Sequence, residues 1–160
     1  MILVALGTQD KPFTRLLDQV QKEIDNGNIK DKVVVQAGCT KYESEDMEIF
    51  DLIPMDEFDK LMSECDLLIT HGGVGSIVSG LNKNKKVIAV ARLSKYGEHV
   101  NDHQEQIINN FDKKGYIIGL KDVSDLGKAL KRVKDFKPNK YESNRDNMVK
   151  LVGSLIDGIK

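Results

Sequence analysis

The sequence predicts an α/β domain built on one open, doubly wound parallel sheet. Three observations lead there. Short apolar runs rich in β-branched residues alternate with segments of helical period. Most of those runs are continuously apolar rather than alternating, as strands covered on both faces must be. And the strand-then-helix unit recurs five times in 160 residues, a length that suits one domain over 1–160.

The elements follow in order. Strands are predicted at 2–6 (ILVAL), 33–37 (VVVQA), 48–53 (EIFDLI), 66–70 (DLLIT), 86–91 (KVIAVA) and 115–119 (GYIIG). Between the first two, Phe13, Leu16, Leu17, Val20 and Ile24 recur at helical spacing, opened by Pro12 and closed near Gly27. Further helices are predicted at 56–64, 75–84, 102–113 and 123–133. A last one near 142–159 carries Met148, Leu151, Val152, Leu155, Ile156 and Ile159 on one stripe, read as core packing. Only the second and third strands lack a helix between them. The longest loops are 38–47 and 92–101, with 134–141 leading to the final helix, and long loops in a compact domain tend to be functional.

Composition removes several functions. Apolar residues make up 40% and charged residues 31%, which is globular. Lys plus Arg (24) against Asp plus Glu (25) gives a net charge of −1, so no basic excess invites nucleic acid. No run of 18 apolar residues could cross a bilayer. The apolar N-terminus lacks the basic start and the cleavage site of a signal peptide and reads as a first strand. Cys39 and Cys65 read as reduced cytosolic thiols.

In such sheets a ligand sits beyond the carboxyl ends of the strands, where strand order reverses. With the order 3-2-1-4-5-6 that point falls between strands 1 and 4, so the segments facing it are Gly7-Thr8-Gln9 and His71-Gly72-Gly73-Val74-Gly75-Ser76. Glycines let the backbone turn close to a ligand, and free N–H groups at a helix start favour an anion such as phosphate. The plainer alternative is a tight strand-to-helix turn capped by Ser76. His71 is either a functional group at the switch point or an ordinary strand-end histidine. Neither G-x-G-x-x-G after strand 1 nor G-x-x-x-x-G-K-[ST] is present. His71, His99 and His103 do not form a metal-binding spacing, and no metal is expected.

Three stretches, GTQDKPFTRLL, THGGVGSIVSGL and ARLSKYGEHVNDHQEQI, resemble the glycosyltransferase family 28 C-terminal domain. The likeness is strongest to bacterial capsule and exopolysaccharide galactosyltransferase enhancer subunits, which are themselves similar to the soluble subunit of the eukaryotic two-part N-acetylglucosaminyltransferase. The resemblance spans roughly residues 1–120. It implies a single Rossmann-like domain, one half of a GT-B glycosyltransferase, that binds a UDP-sugar without metal or other cofactor. The other half would be a membrane-associated, acceptor-binding subunit working on a lipid-linked acceptor in polysaccharide biosynthesis. This chain would then be cytoplasmic and recruited to the inner face of the membrane. Carried over by position, the amides of Gly73, Val74, Gly75 and Ser76 would hold the diphosphate. Asp102, His103 and Gln104 would lie near the sugar, and Arg92 to His99 would line the nucleotide or the subunit contact. His71 and His103 are the candidates for a catalytic base, unless the partner supplies it. In one respect the sequence departs from the pattern. Where relatives often carry a glutamate suited to the ribose hydroxyls, six residues after the second glycine, stands Ser79, which is shorter and uncharged. Two alternatives remain: a non-catalytic enhancer of its partner, and a nucleotide-sensing domain with no transferase partner.

Overall fold

The computed structural model describes residues 1–6, 13–38, 40–71, 74–90 and 103–139. They form β1 (Ile2–Ala5), α1 (Thr14–Asp25), β2 (Val33–Gln36), β3 (Met47–Phe50), α2 (Met55–Glu64), β4 (Leu67–Thr70), α3 (Val74–Asn82), β5 (Lys86–Val90), α4 (His103–Lys113), β6 (Ile118–Leu120) and α5 (Leu126–Val133), with a single 3₁₀ turn at Val123–Asp125. The sheet has the order β3-β2-β1-β4-β5-β6, and every pairing is parallel. This is the doubly wound arrangement that the continuous apolar strands predict.

Alternate side chains of each strand explain why those strands lack polar alternation. Ile2, Val4, Val33, Val35, Leu67, Ile69, Ile88 and Val90 face one core, covered by Leu16, Leu17 and Val20 of α1 and by Leu126, Ala129, Leu130 and Val133 of α5. Leu3, Ala5, Val34, Leu68, Val87 and Ala89 face the other, covered by Met62 of α2, Ile77 and Leu81 of α3, and Ile107, Ile108 and Phe111 of α4.

Two predicted strands shift. The third runs 47–50 rather than 48–53. The chain leaves the sheet after Phe50, and the Ile53 N–H turns to the side-chain Oε1 of Gln36 at 3.0 Å. The sixth runs 118–120 rather than 115–119, because Gly115 adopts φ +74° to close α4. Its N–H donates to the Asp112 carbonyl, and the Tyr116 N–H donates to that of Phe111, a Schellman turn that uses up the first residues of the apolar run. The parallel link from β2 to β3 has no helix, as expected. It crosses over α1, where the Ser44 hydroxyl bonds Gln21 and Tyr42 packs on the core. The predicted final helix, 142–159, lies outside the described residues, as does Cys39. Cys65 is a buried free thiol.

Candidate functional site

The site begins where β1 and β4 end side by side. The Ala5 carbonyl accepts two hydrogen bonds there, from the Thr70 hydroxyl at 2.9 Å and from the His71 backbone N–H at 3.3 Å. Thr70 and His71 are both buried, at 0% and 5% exposure, so a hydroxyl inside the core clamps the two strand ends at the switch point. Three residues after His71, α3 starts at Val74. Its first N–H groups have no partner within the helix and point back toward the edge where β1 and β4 end.

Packing fixes the direction of α3. Ile77 is fully buried and Leu81 nearly so. At Gly80 an added Cβ would lie 3.0 Å from both Leu68 and Val87, so the helix lies against the sheet as closely as a backbone can. At Gly75, by contrast, which is exposed, an added Cβ would meet nothing within 4 Å among the described residues. Among the described residues the same helix is therefore tight at its sheet face and unobstructed at Gly75. Ser76 and Ser79 are both partly exposed on this helix.

The expected residues divide as follows. His71 directly follows β4, and Val74, Gly75 and Ser76 form the first turn of α3. His103 and Gln104 are the first two positions of α4, which starts at the carboxyl edge beyond β5, the neighbour of β4. The fold thus brings the starts of α3 and α4 to one edge. Gly7, Thr8, Gln9, Gly72, Gly73, Arg92, His99 and Asp102 lie outside the described residues. Among the described residues no group of three His, Cys, Asp or Glu could hold a metal ion.

Sequence reasoning missed the polar groups that hold this edge together. The Phe13 N–H, at the entry to α1, donates to the buried Thr40 Oγ1 at 2.8 Å, tying the β2–β3 crossover to the segment after β1. Gln36 and Thr70 act similarly from the last positions of β2 and β4. Their shared signal is a polar residue ending an apolar run, VVVQ and LLIT. On the outer face of α1 the Tyr42 hydroxyl is held above its ordinary pKa, first by partial desolvation and then by its hydrogen bond to Asp18.

The glycosyltransferase family 28 C-terminal domain matches residues 1–157. The chain belongs to that family. Among curated proteins it is similar to the UDP-N-acetylglucosamine transferase subunit ALG13 of Candida glabrata, with 35% identity over 89 residues, 54% of this chain and 43% of the relative. It is also similar to the ALG13 subunit of Debaryomyces hansenii, with 30% identity over 100 residues, 62% of this chain and 44% of the relative. The chain therefore spans less than half the length of these relatives. Among solved structures, ALG13 in solution superposes with a TM-score of 0.64 at 21% identity, covering 97% of this chain and 96% of that one. The glycosyltransferase SnogD from Streptomyces nogalater gives 0.55 at 18% identity, covering 84% and 38%. At these identities the solved structures speak for the Rossmann-like GT-B domain fold.

Proposed function

We propose that this chain is the donor-binding part of a two-part glycosyltransferase. It would hold a UDP-sugar while a membrane-associated partner presents a lipid-linked acceptor at the inner face of the membrane. The observation that carries this reading is the family match over 1–157, joined to an open helix start at the switch point of the sheet. The ALG13 relatives are named as UDP-N-acetylglucosamine transferase subunits, which makes UDP-N-acetylglucosamine the first donor to test and UDP-galactose the second. Amides of residues 73–76 would meet the diphosphate, so that helix-start N–H groups offset leaving-group charge in place of a metal. His103 and Gln104, with Asp102, would lie toward the sugar. Among the described residues no helix is long and apolar enough to cross a membrane.

Two measurements test the reading. Titration calorimetry should detect UDP binding that a chelator leaves unchanged; no binding up to millimolar concentration, or binding lost with chelator, would count against the site. The chain alone should transfer sugar to a lipid-linked acceptor poorly or not at all, because a lone domain leaves its donor edge open to water. Activity should appear when a partner is co-expressed, and full turnover by the purified chain alone sinks the two-part reading.

Ser79 favours a second reading, in which the chain supports its partner without catalysis, since a serine grips a ribose less firmly than a glutamate. Gln104→Ala separates the two. Transfer lost while assembly persists supports the donor role, and transfer retained supports the enhancer.

A further inference from the structure

Among the described residues, large apolar side chains stand exposed in one place: Phe50 at 47%, Leu52 at 66% and Met55 at 74%. They lie where β3 ends and α2 begins. Phe50 and Leu52 border a groove of about 290 Å³ between α2 and the outer strands, with Val34 and Leu61 among its lining. One wall of the groove is α2. Its one fully buried residue, Met62, packs toward Leu68 and Gly80, and the face of β3 carrying Glu48 and Phe50 is left beside it.

The rim of the groove is acidic. Glu48, Glu57 and Glu64 line it against Lys60 alone, and Lys32 reaches Glu48 at 3.3 Å from outside. Residues 43–66 as a whole hold five Asp and five Glu against one Lys, so the field over this edge is negative. An apolar partner without positive charge would strand those carboxylates away from water, which is costly. One with Lys or Arg flanking its apolar stripe would pair them.

We infer that this groove docks a basic amphipathic helix of a partner protein, its apolar stripe on Phe50 and Leu52 and its Lys or Arg side chains over Glu57 and Glu64. Two other occupants fit less well. A second copy could bring α5, rich in Lys, but the apolar residues of α5 are spent in its own core. The chain's own apolar stripe at 148–159 follows Asn139, whose N–H bonds the Gly115 carbonyl beside β6, five strand spacings from β3, about 24 Å. The inference rests on the shape and charge of the groove and stands whether or not α3 holds a nucleotide. If both are right, the Phe50 and Leu52 end of the groove shares the carboxyl edge with the α3 start, three strand spacings or about 14 Å from β4.

The test uses the whole chain and a fluorescein-labelled synthetic helix of about 18 residues with a leucine stripe flanked by lysines. Anisotropy should show micromolar binding that weakens with salt. Leu52→Asp should weaken it about tenfold. Glu57→Lys with Glu64→Lys should weaken it about fivefold or more, with melting temperature unchanged since all three residues are exposed. Lys131→Glu on α5 should change nothing, and a helix with glutamates in place of lysines should fail to bind. Any of four results would overturn the inference: no binding, equal binding of both helices, tighter binding by Leu151→Asp with Leu155→Asp, which would put the chain's own stripe in the groove, or a dimer in sedimentation that Leu52→Asp abolishes.

Discussion

At the amino edge of the sheet α1, α3 and α4 end in the same turn, whereas the described residues of the carboxyl edge are tied by side chains reaching between elements. Gly27, Asn84 and Gly115 all adopt positive φ, and in each case the next N–H reaches back five residues to a helix carbonyl. Each turn satisfies its own backbone locally, so little there depends on distant residues. Across the sheet the connections range from the two-residue step between His71 and Val74 to the helix-free crossover between β2 and β3. They are held by single side chains reaching between elements: Thr70 to Ala5, Thr40 to Phe13, Gln36 to Ile53. The difference separates two tasks. The amino edge and the two cores carry stability by repeated local solutions, and the described carboxyl-edge residues are tied one by one, at the edge where the proposed donor site lies.

The largest expected effect tests whether that separation is real. Phe111 is fully buried on α4, its ring 6.3 Å from that of Tyr116, in the core far from the helix start. Phe111→Ala should cost about 3–5 kcal/mol in denaturant unfolding, through lost contacts and the cavity left behind. Below the transition its UDP affinity in calorimetry should match that of the parent chain. A matching fall in affinity would mean that core and binding edge cannot be separated.

Gly75→Val tests the converse and is smaller. Among the described residues an added Cβ meets no neighbour, φ is not positive, and glycine is a poor helix former, so stability should hold or rise by up to about 0.5 kcal/mol. UDP binding should weaken about tenfold, or 1.4 kcal/mol, as the methyl groups occupy the space at the helix start. Equal binding by the folded variant would reduce the glycine to a shaper of the turn.

Much of the carboxyl edge was legible because the strands are. Most of the parallel strands announce themselves by unbroken apolar runs, and six strands with five helical segments leave few orders for the sheet. From the order 3-2-1-4-5-6 the switch point follows, and with it the start of α3. The tethers did not show, because a lone Thr or Gln ending a strand has no pattern until its partner, 17 to 65 residues away, is folded beside it. The end of β3 misled for a physical reason as well. EIFDLI holds four large apolar residues in six, yet Leu52 is exposed, so its hydrophobicity belongs to a surface groove and not to the sheet.

The smallest effect is read through Cys65, in the amino-edge turn between α2 and β4. It is 1% exposed, and its Sγ donates to the Met62 carbonyl at 3.3 Å. Burial pushes the thiol above its ordinary pKa, and the nearby Lys85 opposes this only in part. The folded state therefore prefers the neutral thiol. That contribution is fully present below the unfolded pKa of about 8.5 and is lost as pH rises through the higher folded value, so stability should decline gently in that alkaline range. In a Cys39→Ser chain, where Cys65 alone can react, labelling by a disulfide reagent at pH 7.5 should be about a hundredfold slower than in urea, because it waits for local opening. Phe111→Ala should speed that labelling and Gly75→Val should leave it alone. Equal acceleration by both would show that the binding edge opens with the core, and the division of labour between the two edges would fail.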